Sequence, residues 1–253
     1  ICHFRIYEPW KADEDRWTEY TVSFPNVLHS QCGCVCPGTT DEVFIGTALG
    51  IFRLVREGDT WQSPERIVAH GWKDPIHQDL HMFPDDPDTI YSGTYPNGLM
   101  IFRRPASGQG PWEILEPGSL PADFGNLNSL CVDPESETVY IASSSGNLYK
   151  TPRNTIEWTA MQIPPDGEGL AIRNMLFNAH YGLLVEFGSR LYQYKNGEWL
   201  DLKSPELLST GYRSIDVCNN NYNIVVGSNS GCFVYSSLLK TWQMRNRHIA
   251  NLN

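Results

Sequence analysis

Five pairs of adjacent polar residues recur along the chain, each followed by mostly apolar residues. They are Gln31 with Cys32, Gln78 with Asp79, Asn128 with Ser129, Arg173 with Asn174, and Arg213 with Ser214. In a sixth repeat, His248 is the candidate for the residue that corresponds to the first member of each pair. Amide, hydroxyl and guanidinium groups that converge on one place are typical of small-molecule sites. If the pairs converge, they predict a binding site for a small organic molecule.

The charges within these pairs are unevenly distributed. Arg173, Arg213 and His248 belong to consecutive pairs, whereas the other pairs carry amides, hydroxyls and Asp79. Two guanidinium groups side by side repel each other unless an anion or a developing oxyanion lies between them. We therefore expect Arg173 and Arg213 to hold a carboxylate, carbonyl or enolate. Asp79 and His248 are the candidates for proton transfer.

The remaining polar positions are predicted to bind the substrate. They are Gln31, Gln78, Asn128, Asn174, Ser129 and Ser214. Whether the chain is an enzyme stays open at this stage. If it is one, polarisation of a carbonyl without metal or cofactor indicates an isomerase, lyase or cyclase. The alternatives are a water-filled polar channel without a ligand, a protein-interaction scaffold and a carbohydrate-binding protein.

The sequence argues against a metal centre. Asp79 is the only acidic residue among the pairs, and hard cations require several oxygen ligands with compensating charge. His77 and His81 would lie about 13 Å apart on a strand, too far to share one ion. Cys32, Cys34 and Cys36 alternate along one strand, about 6.6 Å apart, which disfavours a disulfide. A Cys-x-Cys metal or redox site remains the alternative to buried thiols.

The elements that position these residues follow from a repeat of tryptophans. Six of the eight tryptophans come after a short polar turn: Trp17, Trp61, Trp112, Trp158, Trp199 and Trp242. Their spacing of roughly 41 to 51 residues is that of a four-stranded propeller blade. Before each Trp lies an aromatic strand, led by glycine in five of the six repeats, as in GIFRL at 50–54 and GCFVY at 231–235. A further strand and a polar pair precede each of these five glycine-led strands.

Each complete repeat therefore reads as four strands, a to d, with the polar pair opening strand a and Trp opening strand d. Four-stranded sheets with two apolar faces must stack on neighbours to bury both. The pattern predicts an all-β fold, a six-bladed β-propeller of four-stranded antiparallel blades, as one domain. The predicted repeats 1 to 6 cover 1–25 plus 247–253, 26–70, 71–117, 118–165, 166–205 and 206–246.

Repeat 1 is incomplete. It holds only strands c and d within residues 2 to 21, and His248–Asn253 is predicted to supply strand a and to close the ring by pairing the chain ends. Strand b is missing from the sequence. A segment upstream of Ile1 is expected to supply it, unless this blade has three strands.

Two segments carry a resemblance to known propellers. DDPDTIYSGTYPNGLMIFRR and DPESETVYIASSSGNLYKTP resemble phrases of the gluconolactonase and strictosidine-synthase-like group and of the Asp-box propellers. The Asp-box itself is present only as a fragment, Gly58-Asp59-Thr60-Trp61. The resemblance implies a propeller architecture rather than a particular activity.

Composition restricts the partners. The formal charge is −10 and the pI about 5.1, which argues against nucleic acid because phosphate contacts depend on Lys and Arg. No apolar run reaches the 18 or so residues of a membrane span. We expect a monomer with a small-molecule ligand, and a protein partner remains open. The sequence begins with Ile1 rather than Met, and a removed signal peptide is one explanation beside truncation. The compartment stays open, with secretion slightly favoured over the cytoplasm.

Overall fold

The computed structural model describes most of the chain. The described residues are 2–7, 17–22, 30–39, 41–47, 49–58, 60–67, 76–108, 110–121, 124–204, 212–218, 220–228 and 231–244. For 2–7, 17–22, 30, 31, 35, 116–119, 212 and 213, the backbone alone is described. The chain falls into two compact units, 1–94 with 100–117, and 95–99 with 118–253.

The first eleven strands belong to repeats 1 to 3. They are β1 Cys2–Tyr7, β2 Trp17–Val22, β3 Ser30–Val35, β4 Glu42–Thr47, β5 Gly50–Glu57, β6 Thr60–Trp61, β7 Glu65–Ile67, β8 Ile76–His81, β9 Thr89–Tyr95, β10 Gly98–Arg103 and β11 Glu113–Ser119. Apart from 95–99 and the last two residues of β11, these strands belong to the first unit.

The next twelve strands belong to repeats 4 to 6 in the second unit. They are β12 Leu127–Asp133, β13 Thr138–Ser143, β14 Leu148–Pro152, β15 Thr159–Ala160, β16 Ile172–Asn178, β17 Gly182–Phe187, β18 Arg190–Lys195, β19 Glu198–Asp201, β20 Tyr212–Val217, β21 Ile224–Ser228, β22 Gly231–Ser236 and β23 Thr241–Met244. A 3-10 helix, Pro165–Gly167, lies between β15 and β16. No described helix has the length and apolarity needed to cross a membrane.

Each of repeats 3 to 6 forms a four-stranded sheet in chain order, and the described registers in repeats 4 to 6 are antiparallel. The sheet of repeat 2 has five strands, because β6 and β7 both pair with β5. Gln62, Ser63 and Pro64 separate β6 from β7, and proline has no N–H to donate to the ladder. The prediction of four-stranded antiparallel blades is confirmed.

The prediction of six blades is wrong for the part of the chain that the structure describes, which forms five. Repeat 1 contributes only the antiparallel pair β1–β2, in which Cys2 faces Val22 and Tyr7 faces Trp17. The strand predicted over 248–253, and with it the closing of the ring, lies outside the described residues.

Glycine allows the turn between strands b and c, as the sequence predicts. Gly146 has a φ of +87°, and a Cβ there would lie 2.5 Å from the carbonyl oxygen of Leu170. Gly231 occupies the corresponding turn of repeat 6 with a φ of +127°. Glycine reaches such positive φ values without a steric penalty. Both turns therefore depend on the residue type itself.

Apolar side chains bury the facing surfaces of neighbouring sheets. In the first unit, Phe44, Leu80 and Trp112 belong to one buried cluster that joins the sheets of repeats 2 and 3. In the second unit, one cluster joins repeats 4 and 5, and another joins repeats 5 and 6. Sheets that cannot bury both faces alone are expected to pack in this way. Within each unit, the packing holds strand a of one repeat beside strand a of the next.

Ion pairs explain part of the motif that resembles other propellers. An acidic residue just before strand b pairs with an arginine near or just after the end of strand c in three repeats. The pairs are Arg56 Nη2 with Asp41 Oδ1 at 2.7 Å, Arg104 Nε with Asp88 Oδ1 at 3.1 Å, and Arg153 Nη1 with Glu137 Oε1 at 3.4 Å. The Arg104 guanidinium also lies 5.1 Å from the ring centroid of Trp112. The motif therefore fastens each sheet at its strand ends, which is a structural role.

Candidate functional site

Four of the five predicted polar pairs are β-bulges in the innermost strands. In repeat 4, Leu127 faces Ser143 and Ser129 faces Ala142, so Asn128 is the extra residue in the ladder. The same shift occurs in β3, β16 and β20. The paired residues, with the residue opposite, are Gln31 and Cys32 with Gly46, Asn128 and Ser129 with Ala142, Arg173 and Asn174 with Glu186, and Arg213 and Ser214 with Gly227. A bulge interrupts the alternation of side chains and can re-aim them, often beside a functional site.

Three of the four residues opposite a bulge are small, and at two of them, Gly46 and Gly227, the second bulge residue leaves no room for a Cβ. A Cβ on Gly46 would lie 2.5 Å from Cys32 Sγ, and one on Gly227 would lie 2.8 Å from Ser214 Oγ. Real Cβ atoms do not approach other heavy atoms so closely. The small residue and the bulge are therefore parts of one local structure.

Bulge side chains also bond to the neighbouring sheet. Ser129 Oγ accepts the N–H of Met175 at 3.0 Å, and Asn128 Nδ2 donates to the carbonyl of Ile172 at 3.0 Å. In the first unit, the Cys32 thiol donates to the carbonyl of His77 at 3.5 Å. These bonds tie one innermost strand to the next. That Asn128 and Ser129 also contact a ligand stays a prediction.

Repeat 5 departs from this arrangement. Asn174 Nδ2 donates to Glu186 Oε2 at 2.5 Å, within the same sheet. Glu186 is completely buried, at the position where the other described bulges have glycine or alanine. The Arg173 side chain is exposed and makes no hydrogen bond or ion pair with another described residue. Repeat 5 thus combines a buried carboxylate, an oriented amide and an uncommitted guanidinium.

Solved structures share this arrangement of sheets. An extracellular domain from B. thetaiotaomicron is 17% identical with a TM-score of 0.64, over 89% of this chain and 28% of that one. A chain of the nidogen/laminin complex is 11% identical with a TM-score of 0.66, over 98% and 90%. YCF48 from Cyanidioschyzon merolae is 15% identical with a TM-score of 0.57, over 85% and 69%. The fold is a β-propeller.

These likenesses establish the propeller architecture only, because every identity is far below the level at which function is shared. No protein-family model matches the chain, and no curated protein matches it either. The chain spans less than a third of the length of the B. thetaiotaomicron protein. The activity of this propeller must therefore be argued from its own residues.

Asp79 in repeat 3 is engaged with its own strand. Its Oδ1 accepts the N–H of Leu80 at 3.0 Å and lies 3.3 Å from His81 Nε2. Gln78 beside it is half-buried. The two residues lie in the first unit, whereas Arg173 lies in the second. A role of Asp79 in proton transfer stays a prediction.

Three predicted site residues cannot be placed by their side chains. Gln31 lies in β3 and Arg213 in β20, with only the backbone of each described. His248 lies outside the described residues. Ser214 is exposed at the bulge of repeat 6, next to the position of Arg213. The backbone therefore places Arg173 and Arg213 at equivalent bulges of consecutive sheets in the second unit.

Two buried polar residues went unrecognised in the sequence reasoning, which missed Glu186 and considered His77 only as a metal ligand. The first is Glu186, whose signal was an acid at the strand-b position that is Gly46, Ala142 or Gly227 elsewhere. The second is His77, which is 2% exposed and whose Nδ1 lies 2.6 Å from Ser92 Oγ. Burial lowers the pKa of His77 to about 4. His77 is therefore a neutral, buried residue at neutral pH.

Three cysteines, Cys32 and Cys34 in β3 and Cys36 directly after it, have the properties of inert buried thiols. Burial raises the pKa of Cys34 to about 12 and that of Cys36 to about 11, and it raises the pKa of Cys32 still further. All three are free, and they pack in the cluster between repeats 2 and 3. Among the described residues, no group of three or more His, Cys, Asp or Glu side chains is placed to hold a metal ion.

A concavity of about 290 Å³ lies along the two outer strands of repeat 5. Its lining residues are Gln193, Lys195, Asn196, Glu198, Trp199 and Leu200. Trp199 Nε1 donates to the carbonyl of Gln162 at 2.7 Å, and its ring lies 4.8 Å from that of Tyr194. Trp242 Nε1 donates in the same way to Leu202, at 2.8 Å. Both indoles are engaged in packing between sheets, which disfavours a role in stacking sugars.

Proposed function

We propose that this propeller binds a small organic anion at the bulged ends of the innermost strands in its second unit. Arg173 supplies the main anion contact, with Arg213, Asn128, Asn174 and Ser214 around it. The observation that carries the proposal is the exposed guanidinium of Arg173, which has no ion-pair partner among the described residues. In an acidic chain with 29 Asp and Glu, such an arginine at a bulge is unexpected.

The bulge supports this role physically. Because Arg173 is outside the regular ladder, its side chain is not confined to the alternating pattern of the strand. A guanidinium can form two parallel hydrogen bonds to a carboxylate, which gives both affinity and direction. Neighbouring bulges in the same unit add amide and hydroxyl groups. The ligand chemistry that fits this set is a carboxylate on a small polar molecule.

Binding fits the described residues better than turnover. Asp79, a candidate for proton transfer, has its carboxylate engaged with Leu80 and His81. Ser129 accepts a backbone N–H from the next sheet. We therefore propose a binding protein that needs neither metal nor cofactor, and a metal-free isomerase, lyase or cyclase remains the variant if turnover is found. The extracellular origin of the B. thetaiotaomicron neighbour supports secretion.

Paired probes test the proposal. Propionate and propionamide have the same shape, but only propionate carries a charge, so the protein should bind propionate more tightly. Arg173→Ala should weaken propionate binding at least about tenfold, because a charge-assisted bond is lost. Ligand-observed NMR titration of the full chain measures the dissociation constants of propionate and propionamide. Arg103, exposed at the end of β10, provides the control: Arg103→Ala should leave binding unchanged.

Two results would contradict the proposal. Equal binding of propionate and propionamide would show that charge is not recognised. Equal loss of propionate binding in Arg173→Ala and Arg103→Ala would show that the net charge of the protein, rather than the bulge, governs the interaction. Arg213→Ala provides a second measurement at the adjacent bulge if Arg173→Ala fails to fold.

A protein-interaction role has its own observation. At the opposite strand ends of repeats 5 and 6, His180 stacks on Tyr222 with ring centroids 4.2 Å apart. Leu238 and Leu239 in a nearby turn are 86% and 61% exposed. The Leu238→Ser, Leu239→Ser double variant should abolish capture of a partner if this surface binds one, while Arg173→Ala retains it. The reverse outcome would favour the small-molecule site.

A further inference from the structure

The bulge of repeat 5 also restricts what the ligand can be, and this inference rests on the proposed binding at Arg173. Arg173 and Asn174 together face a single residue, Glu186. In the other three described registers with such a bulge, the residue opposite is Gly46, Ala142 or Gly227. Only repeat 5, among these four, has a side chain there that can bond to the bulge itself.

The buried carboxylate orients the amide of Asn174. A carboxyl oxygen that accepts a hydrogen bond, as Glu186 Oε2 does, can take only the donating end of a primary amide, which also has an accepting end. Asn174 presents Nδ2 to Glu186 at 2.5 Å. Its Oδ1 therefore points away from Glu186. Turning the amide over would bring two acceptors together at a fully buried position, which is costly.

The Oδ1 of Asn174 is left available. In repeats 2 and 4, the side chain at this place bonds to the next innermost strand, as Ser129 does with Met175 and Cys32 with His77. Asn174 makes no such bond among the described residues; its described bond is the one to Glu186. The bulge thus offers the donors of Arg173 and, one residue along, an acceptor with a fixed direction.

We infer that the ligand is an α-hydroxy carboxylate, whose carboxylate meets Arg173 and whose hydroxyl donates to Asn174 Oδ1. The two groups are adjacent in such a molecule, as Arg173 and Asn174 are in the chain. An α-amino acid would place an ammonium beside the Arg173 guanidinium, and like charges repel at short distance. A plain carboxylate would leave the Asn174 acceptor without a ligand donor.

Three probes with one carbon skeleton separate these cases. L-Lactate, L-alanine and propionate differ only in the group at the α carbon. NMR titration of the full chain should show L-lactate binding roughly fivefold more tightly than propionate, as one additional hydrogen bond predicts. L-Alanine should bind no better than propionate. The D-isomer of lactate is measured as well, since the handedness of the contact is open.

Variants of Asn174 and Glu186 test whether this pair sets the preference for lactate over propionate. In Asn174→Leu, the acceptor is gone, and the ratio of the propionate to lactate dissociation constants should fall to about one. In Glu186→Gln, the amide of Gln can donate as well as accept, so Asn174 can turn over and the ratio should also fall. Thermal unfolding of each variant checks the fold. If Glu186→Gln does not fold, Asn174→Leu alone decides.

The outcomes distinguish this inference from the proposed function. Equal binding of lactate and propionate by the wild-type chain would overturn the α-hydroxy assignment and leave the carboxylate site standing. Tighter binding of alanine than of lactate would also overturn it, in favour of an amino acid. Failure of all four probes to bind would overturn the carboxylate site itself. A lactate preference that survives Asn174→Leu would assign the hydroxyl contact to another residue.

Discussion

The ring of His77 lies against the hydroxyl of Ser92, with 2.6 Å between Nδ1 and Oγ, in the interior of the first unit. Because burial disfavours the imidazolium, the pKa of His77 is lowered to about 4 from an unfolded value of 6.5. The unfolded chain therefore binds a proton between these pH values and the folded chain does not. The contribution of His77 to stability is fully present above about pH 6.5. The free energy of unfolding falls by about 3 kcal/mol as the pH drops towards 4.

The measurement is the free energy of unfolding in urea at several pH values from 4.5 to 7.5. His77→Gln should remove most of this dependence, because glutamine does not titrate. His180→Gln, at an exposed histidine, should keep the wild-type dependence. Parallel curves for the wild type and His77→Gln would show that another group is responsible.

A second prediction concerns Glu42, a buried carboxylate between two arginines. Arg53 Nε donates to Glu42 Oε1, and Arg104 Nη2 lies 2.8 Å from the same oxygen. Burial tends to raise the pKa of Glu42, but these two arginines outweigh it and lower the pKa overall. Glu42→Gln should destabilise the protein by about 2 kcal/mol, because the partly buried arginines lose their counter-ion.

Glu65 is the matched control for Glu42. It bonds to the same Arg53 at 3.2 Å, but its side chain is 56% exposed. Exposed ion pairs contribute little, so Glu65→Gln should cost no more than about 0.5 kcal/mol. Urea unfolding measures both variants. Since the pKa of Glu42 is lowered in the folded state, its contribution should be present above the unfolded pKa and lost as the pH falls through the folded one. Similar losses in the two variants would contradict the role of burial.

A third prediction tests the space beside a bulge. A Cβ on Gly227 would lie 2.8 Å from Ser214 Oγ, and no other atom of the described residues, its chain neighbours aside, lies within 4 Å of it. Gly227→Ala should therefore cost about 1 to 2 kcal/mol through overpacking. Adding Ser214→Ala removes the clashing oxygen and should restore most of the stability. A double variant no more stable than Gly227→Ala alone would show that the backbone, and not the hydroxyl, sets the requirement for glycine.

A fourth prediction concerns thiol reactivity. Because burial raises the pKa of Cys34 to about 12 and of Cys36 to about 11, almost no thiolate is present at pH 8. Alkylation by iodoacetamide in the native protein should be at least about tenfold slower at these two residues than at the half-buried Cys218 and Cys232. Peptide mapping by mass spectrometry measures each site. Equal rates before and after unfolding in urea would contradict the prediction.

The periodic features of the fold were predictable because they are local. Trp199 and Trp242 open the outer strands of their sheets as expected, and Gly146 and Gly231 occupy the tight turns. Turn chemistry and strand alternation act over a few neighbouring residues, so spacing alone reveals them. The number of blades was not predictable in this way, because completing the first sheet depends on pairing between distant segments.

The recurrence of polar pairs at equivalent places in the strands was predictable, but their bonds were not. The pairs that begin with Asn128 and Arg173 do lie at equivalent places in neighbouring innermost strands. Their partners were hidden, because a bulge shifts the register and lets one side chain reach another sheet. Ser129 reaches Met175, whereas Asn174 reaches Glu186 in its own sheet. Residue types alone could not distinguish these two outcomes.

By itself, the sequence determined the repeat, the strand pattern and the recurrence of polar residues where each innermost strand begins. Those properties depend on residue types a few positions apart. The tertiary structure decided which polar groups are engaged, from the bond between Asn174 and Glu186 to the exposure of Arg173. Hydrogen bonds between residues far apart in sequence depend on register and on sheet packing, and these form only when the chain folds.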